Sequence, residues 1–535
     1  MLSTRLFRSV IAVFLLLSLA FGMLACSAEP SEDAFKQAQL NAASEFSDQY
    51  TLYYGKLSAH DPNNTSAKVN LGVELSPELL SLLRSMTAES LEWVNDLGVS
   101  LEGNIKEDKM SIGLALSLGK EELVSASAFL DMAKGDAYLA IPLLAKEYLK
   151  TSMGEGADME DLLGTMDIGY DDMLPDGKTL DALLAKYLTL VLDRIPAVTF
   201  EAGTLTANGV SQECTVYTVE LSQKQAVALL LDVFKAAKDD EQLKTIICDF
   251  VDSSYASYSS ASGEYDDIFS ELDGYYDYEI LTGEEVYAEF ILELEKQIEA
   301  GEDMVENGEF TDALAIVWTS YVMDKNPEVI GTQFDFYEES GDCTRLFLGR
   351  AQNGKDTGVS SYLDYFGEKI FEIKGDLTED GKLLSGTYEI LMEEESMLFL
   401  DLANVDTNLL DKGYFNGSMS VSPSKGLLEE MGVDMDEMGI AIAALSLKID
   451  VEQKNDDKAK ATVSLMNNGS AYLSVTVDST VGNGSTVKLP ADADIVADAS
   501  AWLMSLDLNA LMEKLEASAL PDSIVELIRS YVAME

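Results

Sequence analysis

The chain is 535 residues long and carries 95 Asp plus Glu against 36 Lys plus Arg, a formal net charge of −59. A surface this acidic excludes nucleic acid and bare anionic lipid as partners, because both would be repelled. A hydrophobic content of 47% is ordinary for a globular protein, so the acidity reads as solubility and self-repulsion rather than as a disordered tail or a cation site.

The N-terminus has the three parts of an export signal. Arg5 and Arg8 form a basic start, Val10 to Ala20 is apolar except at Ser18, and Phe21-Gly22-Met23-Leu24-Ala25-Cys26 forms a short exit. The apolar run is shorter than the roughly 20 residues a spanning helix needs, and Ser27 to Asp33 is small, polar and acidic, so residues 1–25 are expected to be cleaved. Ala25 and Cys26 resemble the bacterial lipobox, where a small residue precedes an invariant cysteine; Met23 and Leu24 are looser matches. The resemblance implies that Cys26 is diacylated and becomes the new N-terminus, anchoring the chain to a membrane on its extracytoplasmic face. Residues 26–66, with the single histidine His60, read as a tether.

The body opens with Val69, Leu71, Val73 and Leu75 alternating with polar or small residues, a half-buried strand. Ser76 and Pro77 start a helix striped by Leu79, Leu80, Leu82, Leu83 and Met86. From Gly98 to Tyr138 a β-meander follows, with turns at Glu107-Asp108, Gly119-Lys120 and Lys134-Gly135-Asp136. Several of its strands alternate large apolar with small residues, a pattern suited to cover on both faces or to curvature. Helices are then expected over Thr179–Ile195, from the capping box Ser222…Gln225, and over Leu243–Val251. The strand pair Val198–Thr206 and Val210–Glu220 lies between the first two.

Residues 253–285 hold Tyr255, Tyr258, Tyr265, Tyr275, Tyr276 and Tyr278 among Ser, Gly, Asp and Glu, and read as a linker, with a recognition loop as the alternative. Beyond the helix Val286–Ile298, strands are expected over Ala313–Met323, Val329–Tyr337, Phe371–Leu377, Leu383–Ile390, Met397–Leu402, Phe415–Val421, Ile440–Val451, Ala459–Met466 and Ala471–Val477. Asp380-Gly381 and Asn468-Gly469 mark hairpins. Helices over Val496–Leu515 and Ile524–Val532 close the chain. The expected fold is α+β: long curved antiparallel β-meanders backed by helices and duplicated as two half-barrel-like units, 67–252 and 286–535.

Chemistry is limited by what is missing. One histidine cannot supply a Ser-His-Asp triad inside a fold it does not enter, a His-paired cysteine nucleophile or a His-rich zinc site, and no phosphate-cradling glycine loop occurs. No cofactor, metal or catalytic residue is therefore assigned. The acidic clusters Asp171-Asp172, Asp266-Asp267 and Asp434-Met435-Asp436-Glu437 follow from the number of acids. With Cys26 acylated, Cys214, Cys248 and Cys343 allow at most one intramolecular pair, and Cys214 with Cys248 is the nearer in sequence. Met110, Leu114, Tyr138, Trp93 and Trp318 are candidate walls of a ligand pocket, against the alternative of ordinary core packing.

The strand pattern over residues 66–250 resembles half-barrel envelope lipoproteins of the LolA and LppX kind, which implies a cradle for acyl chains. The run Gly209-Val210-Ser211-Gln212-Glu213-Cys214-Thr215-Val216-Tyr217-Thr218-Val219-Glu220-Leu221, followed by a Leu-rich helix and Lys238-Asp239-Asp240, resembles uncharacterised acidic lipoproteins of Gram-positive bacteria. That resemblance implies lipid anchoring and an envelope location. The expectation is a non-enzymatic surface lipoprotein that binds a hydrophobic or amphiphilic ligand, with a structural or interaction module lacking a small-molecule site as the alternative.

Overall fold

The computed structural model describes residues 30–57, 64–87, 90–152, 175–262, 282–323, 327–338, 340–430 and 445–532. The N-terminal half contains α1 (Glu32–Leu57), β1 (Asn64–Leu75), α2 (Pro77–Thr87), β2 (Leu97–Lys106), β3 (Lys109–Leu118), β4 (Glu121–Asp131), β5 (Asp136–Ala140) and β6 (Tyr148–Ser152). Next come α3 (Gly177–Arg194), β7 (Thr199–Ala207), β8 (Val210–Ser222), α4 (Gln223–Lys238), α5 (Glu241–Ser262) and α6 (Gly283–Glu306). A run of strands follows: β9 (Leu314–Val322), β10 (Val329–Tyr337), β11 (Cys343–Asn353), β12 (Asp356–Tyr365), β13 (Glu368–Asp380), β14 (Leu383–Met392) and β15 (Glu395–Asp406). The C-terminal part holds α7 (Thr407–Leu410), β16 (Asn416–Pro423), α8 (Lys425–Glu430), β17 (Leu445–Asn455), β18 (Lys458–Asn467) and β19 (Ser470–Asn483). It ends with β20 (Ile495–Val496), α9 (Ala499–Met504), α10 (Leu508–Ala517) and α11 (Asp522–Val532). The α+β class with curved, open antiparallel sheet is thus the observed one.

Two compact units result, and neither is a continuous piece of chain. The first is built from residues 1–58, 163–381 and 385–398; the second from 59–162, 382–384 and 399–535, so the boundary falls within β14 and β15. The expected units 67–252 and 286–535 are replaced by this interleaved pair. The physical reason lies in β1, which pairs with β2 on one side and with β19 on the other, Leu71 facing both Val99 and Val477. A contact closed across some 400 residues leaves no local trace in sequence.

In the first unit β7 to β13 pair antiparallel in chain order. One face is covered by helices, with Tyr217, Val219, Leu221, Trp318, Phe334 and Phe336 packed against Leu188, Val191, Leu192, Leu230 and Phe234. The opposite face is filled by the sheet folding onto itself: Leu205, Ala207 and Cys214 of β7 and β8 pack on Phe347 and Ala351 of β11. Gly358 permits this closure, since a Cβ there would stand 1.9 Å from the Ala207 carbonyl oxygen. Helix α4 opens with the expected capping box, Ser222 and Gln225 each accepting the other's backbone N–H.

Much of the expected tether is instead part of this core. Phe35, Ala38, Ala42 and Ala43 recur at helical spacing along α1 and are buried; Phe35 is 0% exposed and meets the Trp318 ring edge-on at 5.1 Å. Small alanines on one face of a helix allow its close approach to a sheet. The N-terminal part of the expected 253–285 linker, residues 253–262, continues α5; 263–281 lies outside the described residues. The single helix expected over Val496–Leu515 is two, because Asp507 caps a new start by accepting the Ala510 N–H.

Among the described residues of the second unit, strands pair in the order β16-β17-β18-β19-β1-β2-β3-β4-β5-β6-β20, antiparallel except at the β6–β20 edge. Its turns are those the sequence announces: Asn468 and Gly469 both adopt positive φ in the β18–β19 hairpin, the geometry of a type I′ turn. At one end α10 and α11 supply Met512, Leu515 and Val525 to a small core with Leu118, Leu123 and Trp93.

Candidate functional site

Directly opposed residues of an antiparallel pair point to the same side, so the register of the second unit defines what each face presents. One row crosses five strands as Val421, Leu447, Leu465, Leu473 and Leu75. The next reads Met419, Ile449, Val463, Val475 and Val73. A third runs from Val451 through Ala461, Val477, Leu71, Val99 and Leu116 to Val124. Val69, Leu101, Leu114 and Ala126 form a fourth. This face carries no charged residue in these rows.

Over β17 to β19 the other face is polar. Ser464 and Ser474 share a hydrogen bond at 2.8 Å, Thr462 and Thr476 one at 3.1 Å, and Lys448 pairs with Asp450 at 2.9 Å. One apolar and one polar face is the ordinary condition of an antiparallel sheet whose apolar side is covered. Here the apolar side is partly open: Leu101 is 41% and Leu114 47% exposed in mid-strand, and Leu447 43% and Leu465 40% in the row at the Leu75 end. At the Leu118 end α10 and α11 dock on Leu116 and Leu118, and at the other end of the strands Met110 and Leu130, a pair on the same face, are buried. The same unit exposes Leu82 and Met86 on α2, Leu503 and Met504 on α9, and Leu527 and Tyr531 on α11. Contiguous apolar surface of this kind marks a place where something else binds.

The expected wall residues separate on this framework. Leu114 lies at the centre of the open face, and Met110, two turns of the pleat away on the same strand, is buried. Tyr138 is opposite Phe129 and therefore on the other face, its hydroxyl 3.3 Å from Asp136. Trp93 packs into the small core under α10 and α11. Trp318 is core of the first unit, 2% exposed, and takes no part in a pocket. Leu447, Leu465, Val463 and Val475 were not anticipated as site residues, because their strands were assigned to a different unit. Their own alternation with Ser, Thr and Lys announces a one-sided face.

No disulfide joins Cys214 to Cys248, and the three cysteines among the described residues are thiols. Cys214 points into the folded-over core beside Leu205 and Phe347, whereas Cys248 sits on α5, where a Cβ on Gly283 would strike its backbone. Residues on a sheet's inner face and on a separate helix packed against α6 have no shared approach. Burial pushes the Cys248 and Cys343 thiols upward, which disfavours thiolate chemistry. Cys26, His60 and the clusters Asp171-Asp172, Asp266-Asp267 and Asp434–Glu437 lie outside the described residues. Among the described residues no helix is long and apolar enough to cross a membrane.

No protein-family model matches the chain, and no curated protein matches it. The fold and site define an α+β chain with one helix-covered sheet unit and a second sheet unit whose apolar face is partly exposed.

Proposed function

We propose that this chain is a non-enzymatic lipoprotein, anchored through Cys26 on the extracytoplasmic side of a membrane, that holds a hydrophobic or amphiphilic ligand on the open face of its second unit. The observation that carries the reading is the 40–47% exposure of Leu101, Leu114, Leu447 and Leu465 on one apolar sheet face. Burying a whole leucine side chain is worth about 1.5–3 kcal/mol, so covering the exposed part of each of these gains about 1 kcal/mol, and an acyl chain laid across several rows sums such gains. The charge of −59 keeps a molecule with this much exposed apolar surface dispersed. Two acyl chains on Cys26, at about 0.8 kcal/mol per buried methylene, would hold the body at the membrane from which such a ligand comes.

A fluorescent long-chain fatty acid should bind the full chain saturably, and the double variant Leu114→Arg, Leu465→Arg should lose at least tenfold in affinity while keeping its melting temperature. Equal binding by both would sink the assignment of the face. For the anchor, Cys26→Ala should abolish incorporation of labelled palmitate; undiminished labelling would remove Cys26 from the account.

A further inference from the structure

The first unit contains a second, chemically different recess. A cleft of about 180 Å³ opens on the sheet where β10, β11 and β12 lie side by side. Register puts Thr332, Leu348 and Ser361 in one row and Arg350 beside Val359 in the next, on the face that Phe334 and Phe336 turn to the helices. Glu328, just before β10, completes the rim. Thr332 is 2% exposed, yet its Oγ1 has no hydrogen-bond partner, although it lines this cleft. An unmet buried hydroxyl costs on the order of 1–3 kcal/mol and asks for a polar guest.

Helix α1 adds a second acid. Glu45 follows Ala38 and Ala42 on the stripe that faces the sheet, and its Oε2 is buried without a hydrogen-bond partner. Burial first, then the nearby charges of Glu328 and Asp48, push its carboxyl up to about 7. Burial also raises Glu328, against the opposing pull of Arg350. Glu45 and Glu328 thus repel each other in a partly desolvated corner, an arrangement relieved by one more positive charge.

We infer that this cleft binds a small organic ammonium ion, its NH₃⁺ group between Glu328, Glu45 and Thr332 and its short hydrocarbon tail against Leu348 and Val359. An ammonium group offers three donors, which matches two carboxylates and a hydroxyl. A hard metal ion fits worse, since calcium takes roughly six to eight oxygens and among the described residues no group of three or more acid, Cys or His side chains converges. The volume suits a guest of about six to ten non-hydrogen atoms. The acidic surface raises the local concentration of such cations.

Calorimetric titration of the full chain at about 0.15 M salt, where non-specific surface attraction is screened, tests this with pentylammonium as the probe. One-to-one saturable binding is expected for pentylammonium and none for pentan-1-ol or pentanoate. Glu328→Gln should weaken it at least tenfold. Arg350→Gln should tighten it, an effect that loss of folding could not produce. Binding of pentanoate in place of the amine, or unchanged amine affinity in Glu328→Gln, would overturn the assignment.

Discussion

At the residue scale, two acids show how the same side chain serves opposite ends. Asp240 is 4% exposed, accepts from Tyr187 Oη and Lys186 Nζ at 2.8 Å each, and caps α5 through the Gln242 and Leu243 N–H groups. Burial alone would raise its pKa, but these hydrogen bonds more than offset that and hold it below the usual carboxylate value. Its stabilisation is therefore complete above the unfolded value and lost as pH falls through the lower folded one. Asp240→Ala should cost about 2–4 kcal/mol at neutral pH in a denaturant titration, and a loss below half a kcal/mol would deny the clamp. Glu45 runs the other way. Its folded pKa of about 7 exceeds its unfolded value, so it is neutral in both states in acid, and stability declines as pH rises from the unfolded value through the folded one. Glu45→Gln should leave stability unchanged near pH 4 and raise it near pH 8, by on the order of 1 kcal/mol after solvent screening. A variant less stable than the parent at pH 8 contradicts this. In the sequence Asp240 stands only within a charged run and Glu45 only within a tether, because Lys186 and Tyr187 on the one hand and Glu328 on the other are far from them in the chain.

At the scale of elements, alternation and turn chemistry made most strands legible. Val69 to Leu75, Met110 to Leu118 and Ala459 to Met466 each write one apolar and one polar face directly into sequence, and Asn468-Gly469 fixes the hairpin between β18 and β19. Strands β11 and β12, which carry Leu348, Arg350, Val359 and Ser361 of the cleft, were passed over. Both are mostly covered on two sides, so Leu346, Phe347 and Leu348 run together without alternation. The Asn353-Gly354 pair, with Gly354 at positive φ, was the available signal for that hairpin. Whether an apolar face is open or filled could not be read at this scale, since β9 and β3 are both apolar on one side and only the packing distinguishes them. The distinction has a thermodynamic signature. Trp318→Ala, in the filled unit, should cost about 3–5 kcal/mol. The paired Leu114→Arg and Leu465→Arg changes, at sites already 47% and 40% exposed, should cost less than about 1 kcal/mol. Chemical denaturation of the two variants side by side checks this, and comparable losses would mean that the face is covered in solution.

At the scale of the whole molecule, the α+β class was within reach of the sequence, while the path of the chain through its two units was not. Periodicity identifies strands but carries nothing about which strand meets which across 400 residues, and the β1–β19 pairing is what moves the C-terminal strands into the sheet of the first meander. That pairing also makes the proposed site, since the open face joins Leu101 and Leu114 to Leu447 and Leu465 only when both sets share one sheet. The most direct measurement is the content of that face. Full-length protein purified without detergent exchange and extracted into organic solvent should release a hydrophobic or amphiphilic molecule, beyond the acyl chains on Cys26, in stoichiometric amount by mass spectrometry. The yield should fall in the Leu114→Arg, Leu465→Arg protein. An extract holding no such molecule, from a chain that also fails to take up added fatty acid, would contradict the account.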